Sequence, residues 1–316
     1  MIIDKLIDKI LEQRAPIAAG LDTRLEYIPD CIAKQYSDNG RFDFAGASAA
    51  ITRFNRKIID ALYDLIPAVK IQIAYYEMYG LEGIRAFLET AAYAREKGLI
   101  VIADIKRNDI GATAAAYSAA HIGGTPLPGG ERRAFDSDFI TVNPYFGTDG
   151  ISPFLEDCRR LDKGLFILVK TSNPSSGEIQ DLLSDGRRIY EIVADMVSEW
   201  GRGFNGKYGY SSIGAVVGAT YPEQGTALRK RMPGVFFLVP GYGAQGASAM
   251  DIAGCFDENG LGAVINASRS VICAYRNSAW KDRYTPESFD AASRAEVLKM
   301  KDEINHALSA MGRRPW

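Results

Sequence analysis

Acidic and basic side chains alternate in residues 104–109, which read DIKRND and follow the apolar run LIVIA. If that run is a strand, residues two apart share a face, so Asp104 and Lys106 point together while Ile105 points to the other side. Buried charges are costly unless they are paired, and clusters of this kind shift pKa values at functional sites. The segment therefore indicates electrostatic or acid–base chemistry, the alternative being a structural ion pair at the end of a strand.

Three further residues can reach the same neighbourhood. Asp109 lies in the loop or helix start that follows the charged segment, and Thr113 follows it by four residues. Lys70 lies inside an earlier apolar run, AVKIQIA, which reads as the preceding strand and would be its neighbour in a barrel. We therefore expect these side chains to belong to one site.

A glycine-rich turn and an arginine form a second chemical signal nearer the C-terminus. The turn PGYGAQG, at residues 240–246, follows the run VFFLV, and Arg269 closes the run AVINASR. Glycines such as Gly243 let backbone N–H groups approach an anion, and arginine adds paired donors. Barrel enzymes commonly bind phosphate after their seventh and eighth strands. We expect a phosphate site here, the alternative being an ordinary turn beside a solvated arginine.

Eight short apolar runs must carry these residues: 17–22, 68–74, 99–106, 139–145, 165–172, 213–220, 235–241 and 263–269. Most are rich in Val and Ile and apolar on both faces, which is typical of strands in a parallel sheet that is covered on both sides. Segments with helical spacing lie at 45–65, 83–97, 112–120, 150–160, 187–200, 222–231 and 291–311.

This alternation predicts an α/β fold, a (β/α)₈ TIM barrel. We expect a single catalytic domain over residues 1–316, with an N-terminal helix and a C-terminal closing helix. A doubly wound sheet is the structural alternative. Residues 121–138 and 202–212 read as loops on the barrel.

Polar residues gather at the C-terminal ends of the apolar runs, and in a barrel those ends share one mouth. The residues concerned are Asp22, Asp104, Lys106, Asn143, Thr171, Ser172, Thr220, Ser268 and Arg269. We therefore predict that the strand ends converge on one polar site.

Composition and charge disfavour several classes of function. The 316 residues carry 37 basic and 39 acidic side chains, and this net charge of -2 gives no electrostatic case for binding nucleic acid or a membrane. The four cysteines form no CxxC pair, which disfavours disulfides and zinc. The N-terminal segment has no uninterrupted apolar core for a signal peptide, and no stretch approaches the roughly 20 apolar residues of a membrane span. We expect a cytoplasmic protein.

A series of short motifs along residues 16–275 resembles the orotidine 5′-phosphate decarboxylase family, in particular its longer bacterial branch (type 2). In chain order they are GLD at 20–22, Lys70, DxKxxDIxxT at 104–113, TVNPY at 141–145, TSNP at 171–174, VVGATYP at 216–222, PGxGAQG at 240–246 and INASR at 265–269. The DxKxxD element is shared with related phosphate-sugar barrels, whereas ATYP, PGxGAQG and NASR together are far more specific.

The resemblance implies a carbon–carbon lyase of de novo pyrimidine biosynthesis. Orotidine 5′-monophosphate (OMP) would lose its carboxylate as carbon dioxide and give uridine 5′-monophosphate (UMP), without a metal or any other cofactor. Loss of carbon dioxide leaves negative charge on C6, which a fixed ammonium can stabilise and then protonate. The resemblance also implies a homodimer with shared active sites.

Carried over residue by residue, the resemblance implies catalytic and binding roles. Lys106 would donate the proton to C6, and Asp104 would lie beside the substrate carboxylate. Asp109 and Lys70 would complete an alternating charge array, with Asp109 and Thr113 reaching into the partner's site. The remaining expected substrate-binding residues are Asp22 near the ribose, Ser172 at the pyrimidine, Gln245, Arg269 and Gly243 at the phosphate, and Asn143.

Four residues depart from the family pattern. Asn108 stands where glycine is expected, Ile105 where a small residue is expected, Thr23 where proline is common, and Lys170 where arginine is common. None of these removes a charged group of the array, so they bear on loop geometry and not on the reaction class. Neither histidine lies in a motif, and a surface position is our interpretation for His121.

Two other functions stay open at this point. A magnesium-dependent phosphate-sugar enzyme, such as a 3-keto-gulonate-6-phosphate decarboxylase or a hexulose-phosphate synthase, shares the DxKxxD element, although the longer chain and the ATYP and PGxGAQG elements argue against it. A non-catalytic nucleotide sensor would be expected to lose at least one of Lys70, Asp104, Lys106 and Asp109, and all four are present.

Overall fold

A closed barrel of parallel strands forms the centre of the computed structural model, which describes residues 1–243, 246–313 and 316. Each strand pairs with its neighbours in the chain, and the first pairs with the last to close the ring. Within the described residues the barrel strands are β1 (Ile17–Gly20), β2 (Ala68–Gln72), β3 (Ile100–Arg107), β4 (Phe139–Val142), β5 (Gly164–Lys170), β6 (Ser211–Val217), β7 (Val235–Pro240) and β8 (Ala263–Ala267). The predicted TIM barrel is confirmed, and the doubly wound sheet is excluded.

Helices surround the barrel, and the longer ones follow the predicted segments closely, whereas five of the described helices, each of four or five residues, were not predicted. In the described residues they are α1 (Ile2–Gln13), α2 (Asp30–Ala33), α3 (Phe44–Leu62), α4 (Ala74–Glu77), α5 (Gly80–Glu96), α6 (Gly111–His121), α7 (Thr148–Leu161), α8 (Gly177–Gln180), α9 (Ile189–Trp200), α10 (Pro222–Arg231), α11 (Ala249–Ala253), α12 (Arg269–Ile272) and α13 (Phe289–Ala310). Pro222 occupies the first turn of α10, where a missing N–H costs nothing. None of the described helices is long and apolar enough to cross a membrane.

Two small hairpins depart from the predicted elements. Thr125–Leu127 pairs with Gly130–Arg132 inside the stretch that reads as a loop. Leu183–Ser184 pairs with Arg187–Arg188, so α9 begins at Ile189 and not at the predicted residue 187. Both hairpins are short and exposed, and neither shows the alternating apolar pattern on which strand prediction depends.

Alternation along the strands divides the buried residues into two cores. Side chains such as Ile102 and Phe166 fill the barrel interior, whereas Val101 and Ile105 join the layer between strands and helices. Ile105 therefore points away from the barrel interior, as the two-residue period predicts. A Cβ at Gly164 would lie 2.2 Å from the Phe139 ring, so this glycine leaves the space that the ring fills.

The N-terminal helix closes the lower end of the barrel. Ile3, Leu6 and Ile7 of α1 are fully buried in the same apolar cluster as Ile102 and Phe166. At the outer wall, α13 packs against α3, where the Phe54 and Phe289 rings stack with centroids 4.8 Å apart. The lower end that α1 covers is the end where the strands begin, and the polar cavity lies at the opposite end, where the strands finish.

Candidate active site

A cavity of about 660 Å³ opens at the carboxyl ends of the strands. Its lining residues come from strands and loops around the whole barrel. They include these polar residues singled out from the sequence: Asp22, Lys70, Asp104, Lys106, Thr171, Ser172, Ser268 and Arg269. The prediction that the strand ends converge on one polar site is confirmed for these residues.

Lys70 lies at the centre of the charged cluster. Its Nζ atom is 2.8 Å from Asp104 Oδ2 and 3.3 Å from Asp22 Oδ1. Parallel pairing sets this geometry, because Lys70 of β2 is in register with Gly20 of β1 and with Ile102 of β3. Asp22 lies two residues after Gly20, and Asp104 lies two residues after Ile102. Both carboxylates therefore reach the Lys70 ammonium from the neighbouring strands.

Asp104 is held by four side chains. It accepts hydrogen bonds from Lys70 and Gln72 at Oδ2 and from Lys106 and Thr141 at Oδ1. The Gln72 and Thr141 bonds are 3.0 and 2.8 Å long. The carboxylate is nearly fully buried, whereas the Lys106 side chain is 44% exposed. Asp104 is thus fixed at the base of the cavity, and Lys106 extends from it into the open space.

The surrounding charges shift two pKa values in opposite directions. Burial alone would raise the pKa of Asp104, but the Lys70 and Lys106 ammonium groups hold it well below its usual range. Burial alone would lower the pKa of Lys70, but Asp104 and Asp22 raise it above its usual range. Both groups are therefore charged at neutral pH, and their charges compensate one another.

Lys106 has an unusual backbone conformation. Its φ of 48° lies in the left-handed region, which residues with a side chain rarely occupy. The pairing of β3 with β4 shifts register between Ala103 and Arg107, and the Lys106 N–H donates to Thr141 Oγ1 over 3.0 Å. Thr141 thus holds both the backbone of Lys106 and the carboxylate of Asp104.

Asp109 and Thr113 do not line the cavity of their own chain. Asp109 is half-buried, and its Oδ1 accepts the N–H of Ile110, while Thr113 is exposed on α6. Asn143 does not line the cavity either. Its side chain is instead engaged at the turn after β4, where it accepts the Tyr145 N–H. The charged cluster of one chain therefore contains three of its four predicted catalytic residues.

The departures from the family pattern have local explanations. Asn108 is not among the described residues with positive φ, and its side-chain amide donates to the Asn143 carbonyl. Thr23 donates to Asn55 Oδ1 over 2.6 Å, and the Asn55 amide donates to the hydroxyl of Tyr76. This buried network supports the segment that carries Asp22.

The phosphate prediction concerns the region around β7 and β8. Arg269 lines the main cavity and also a neighbouring cavity of about 410 Å³, which Gly243 lines as well. Gly243 has a φ of 70°, in the left-handed region that favours glycine, and its role at a phosphate stays a prediction. Gln245 lies outside the described residues.

Two residues of the cluster were missing from the predicted site. Gln72 lies two positions after Lys70 on the same strand, so the two-residue period was a usable signal. Thr141 is a polar residue inside a short buried strand, and buried polar groups need partners.

The surface interpretation for His121 is wrong. The side chain is 4% exposed and its ring stacks on Phe135 with centroids 4.4 Å apart. A neutral imidazole at the inner face of α6 can pack as an aromatic ring, which the sequence pattern did not reveal. Burial and the nearby Arg107 charge lower its pKa to about 4.

No group of three or more His, Cys, Asp or Glu side chains is placed to hold a metal ion among the residues that the structure describes.

Comparisons with known proteins agree on one family. The model of the orotidine 5′-phosphate decarboxylase / HUMPS family matches residues 43–281. The orotidine 5′-phosphate decarboxylase of Caldicellulosiruptor bescii is 42% identical over 306 residues, which is 97% of this chain and 98% of the relative. That of Clostridium novyi is 43% identical over 305 residues, covering 96% and 98%.

A solved structure shares the fold along nearly the whole chain. The OMP decarboxylase of Leishmania donovani superposes with a TM-score of 0.73 at 28% identity, covering 97% of this chain and 98% of that one. The segment that the family model matches contains Lys70, Asp104 and Lys106 of the charged cluster, together with the cavity-lining residues Ser172 and Arg269, whereas Asp22 precedes it. The chain belongs to the orotidine 5′-phosphate decarboxylase / HUMPS family.

Proposed function

We propose that this protein decarboxylates OMP to UMP in pyrimidine biosynthesis, by electrostatic catalysis with no cofactor. One observation carries the proposal: the Lys106 ammonium extends into the cavity while it contacts Asp104, itself neutralised by Lys70. The names of the relatives at 42% and 43% identity support the choice of substrate.

In the proposed reaction the C6–carboxylate bond breaks and its electron pair stays on C6. Lys106 stabilises this developing charge and then transfers a proton from Nζ to C6, so that carbon dioxide and UMP are formed. Asp104 would lie beside the departing carboxylate and disfavour the charged ground state. The rate enhancement required is on the order of 20 kcal/mol. No single residue supplies that, which is why the whole array is needed.

The 5′-phosphate would be held at the part of the cavity that β7 and β8 form. Arg269 follows β8 and lines the cavity, and Gly241 and Gly243 of the turn after β7 have positive φ. Binding energy from this remote group would orient the ring against Lys106. Asp22 would contact the ribose and Ser172 the pyrimidine.

We also propose a homodimer in which Asp109 and Thr113 complete the partner's site. Both lie outside the cavity of their own chain, on the loop after β3 and the start of α6. Large apolar side chains are exposed after β2, β3 and β4, and exposed apolar surface marks interfaces. They are Met78, Leu81, Ile110, Tyr145 and Phe146.

The test of the reaction is UMP formation from OMP by the purified protein, with and without EDTA. We expect full turnover in EDTA and no reaction with hexulose 6-phosphate or 3-keto-gulonate 6-phosphate. Activity on a sugar phosphate that EDTA removes would instead identify a magnesium-dependent relative. Tight UMP binding by calorimetry without any turnover would identify a nucleotide sensor. A cytoplasmic location stays a prediction.

A further inference from the structure

The connection between β5 and α9 makes a long excursion from the barrel. Residues 173–188, which we call the β5 arm, contain the turn Pro174–Ser176, the helix α8 and the hairpin of Leu183–Ser184 with Arg187–Arg188. Thr171, Ser172 and Asn173, where the arm leaves β5, line the main cavity. The position of the arm therefore sets the position of one cavity wall.

Lys170, the last residue of β5, is completely buried. Its Nζ lies 2.9 Å from Asp181 Oδ1 and 3.0 Å from Asp181 Oδ2. The rings of Tyr190 and Tyr221 lie 5.5 and 4.9 Å from Nζ, within the range of cation–π attraction. A buried ammonium without such partners is strongly unfavourable, so the fold depends on their being in place.

The essential partner of Lys170 belongs to the arm and not to the barrel. Asp181 lies between α8 and the hairpin, and its carbonyl accepts a hydrogen bond of 3.4 Å from Arg188 at the end of the arm. Because Asp181 brings the negative charge that pairs with this buried ammonium, the ion pair selects one position of the arm.

Neighbouring contacts transmit this position to the cavity wall. Gln180 precedes Asp181, and its amide accepts the Thr171 N–H over 3.0 Å and donates to Thr171 Oγ1 over 2.8 Å. From the other side, the Thr220 hydroxyl donates to the Ser172 carbonyl over 3.2 Å. The wall is thus held between the arm and the loop after β6.

We propose that Lys170 is a positioning residue: through Asp181 it fixes the Thr171 and Ser172 wall against which the substrate ring lies. Lys170 does not line the cavity and so acts through other residues. The role of the wall in catalysis rests on the proposed function. The dependence of the arm on Lys170 rests on the contacts alone, so the two can be tested separately.

The test compares Lys170→Met, which removes the charge, with Lys170→Arg, which keeps it. The matched control is Lys163→Met, because Lys163 immediately precedes β5 and is also buried, with Nζ 3.1 Å from Asp136 Oδ1. Kinetics on OMP give kcat and KM for each folded variant. Hydrogen exchange of peptides covering residues 171–188 reports on the arm without any substrate.

We expect Lys170→Met to speed exchange in the arm and to lower kcat/KM about tenfold or more, since small misplacements are costly in catalysis. The kcat/KM of Lys170→Arg should remain within about threefold of the wild-type value. Lys163→Met should lower stability but change neither kcat/KM nor hydrogen exchange in the arm. Unchanged exchange in Lys170→Met would overturn the proposal, as would faster exchange with unchanged kcat/KM. If Lys170→Met does not fold, Asp181→Asn takes its place with the same expectations. If the wild type does not turn over OMP, the proposed function fails, and the exchange data alone decide the role of Lys170 in the arm.

Discussion

The Thr141 hydroxyl of β4 donates a hydrogen bond of 2.8 Å to Asp104 Oδ1 of β3. Thr141 Oγ1 also accepts the backbone N–H of Lys106, so the Thr141 side chain fixes both the Asp104 carboxylate and the backbone of the residue that carries the ammonium. Parallel neighbours in a barrel make this possible, because their carboxyl ends lie side by side.

Replacing Thr141 by Val should therefore misplace the charged cluster while leaving the barrel folded. Valine keeps the shape of threonine but leaves Asp104 with one bond fewer, at a cost of about 1–2 kcal/mol in unfolding free energy. We expect kcat/KM on OMP to fall about tenfold or more. Thr141→Ser retains the hydroxyl and should stay near the wild-type value. Equal kinetics for the Val and Ser variants would contradict this role.

The backbone of Lys106 makes a prediction about stability that is separate from activity. Its left-handed φ of 48° is unfavourable for any residue with a Cβ, by about 1–2 kcal/mol. Lys106→Gly should therefore be more stable than Lys106→Ala by about 1 kcal/mol, the reverse of the usual order inside a strand. Urea unfolding of the two variants measures this difference. A more stable alanine variant would show that the turn carries no such strain.

A shared active site predicts complementation between two inactive variants. In a mixed dimer of Lys106→Ala and Asp109→Ala, one site lacks both groups and the other keeps both. With free subunit exchange, half the dimers are mixed, so the mixture should recover about a quarter of wild-type activity. Exchange is verified with differently tagged chains. An inactive mixture despite verified exchange would place Asp109 in its own chain's site or outside catalysis.

His121 predicts a loss of stability in mild acid. Its pKa falls from 6.5 to about 4 on folding, because burial disfavours the charged ring. Between these values the unfolded chain binds a proton that the folded chain does not, so stability decreases as the pH falls through this window, by about 3 kcal/mol in all. No described residue pairs with its Nδ1.

The measurement is urea unfolding at pH 7 and pH 4.5 for the wild type and His121→Phe. Phenylalanine should keep the stacking on Phe135 and reduce the acid loss. His306→Phe, which replaces an exposed histidine, should behave like the wild type. An acid loss of the same size in His121→Phe would assign the effect to other groups.

The periodic pattern of apolar residues was enough to predict the barrel and part of its polar cavity. The two-residue period placed Ile105 outside and Asp104 inside the barrel, and the strand ends brought Asp22, Lys70 and Arg269 to one cavity. Thr141 was missed because a single threonine in an apolar run carries no period. The β5 arm was missed because its order comes from the Lys170–Asp181 pair, whose partners stand eleven residues apart and follow no repeat.

Asp109, Thr113 and Asn143 mark another limit of strand-end reasoning. All three follow barrel strands, yet none lines the cavity of its own chain. The direction of a side chain after a strand is set by the turn, as the capping role of Asn143 shows. The two-residue period therefore predicts side-chain direction within a strand but not in the turn that follows it.

The central claim is that the Lys106 ammonium stabilises and protonates C6 with no cofactor. The direct measurement is the absorbance change of OMP on decarboxylation by the wild type and by Lys106→Ala, both in EDTA, with folding of the variant verified by circular dichroism. We expect full wild-type turnover and a loss of about 10³-fold or more in the variant. Comparable rates for the two proteins would contradict the account.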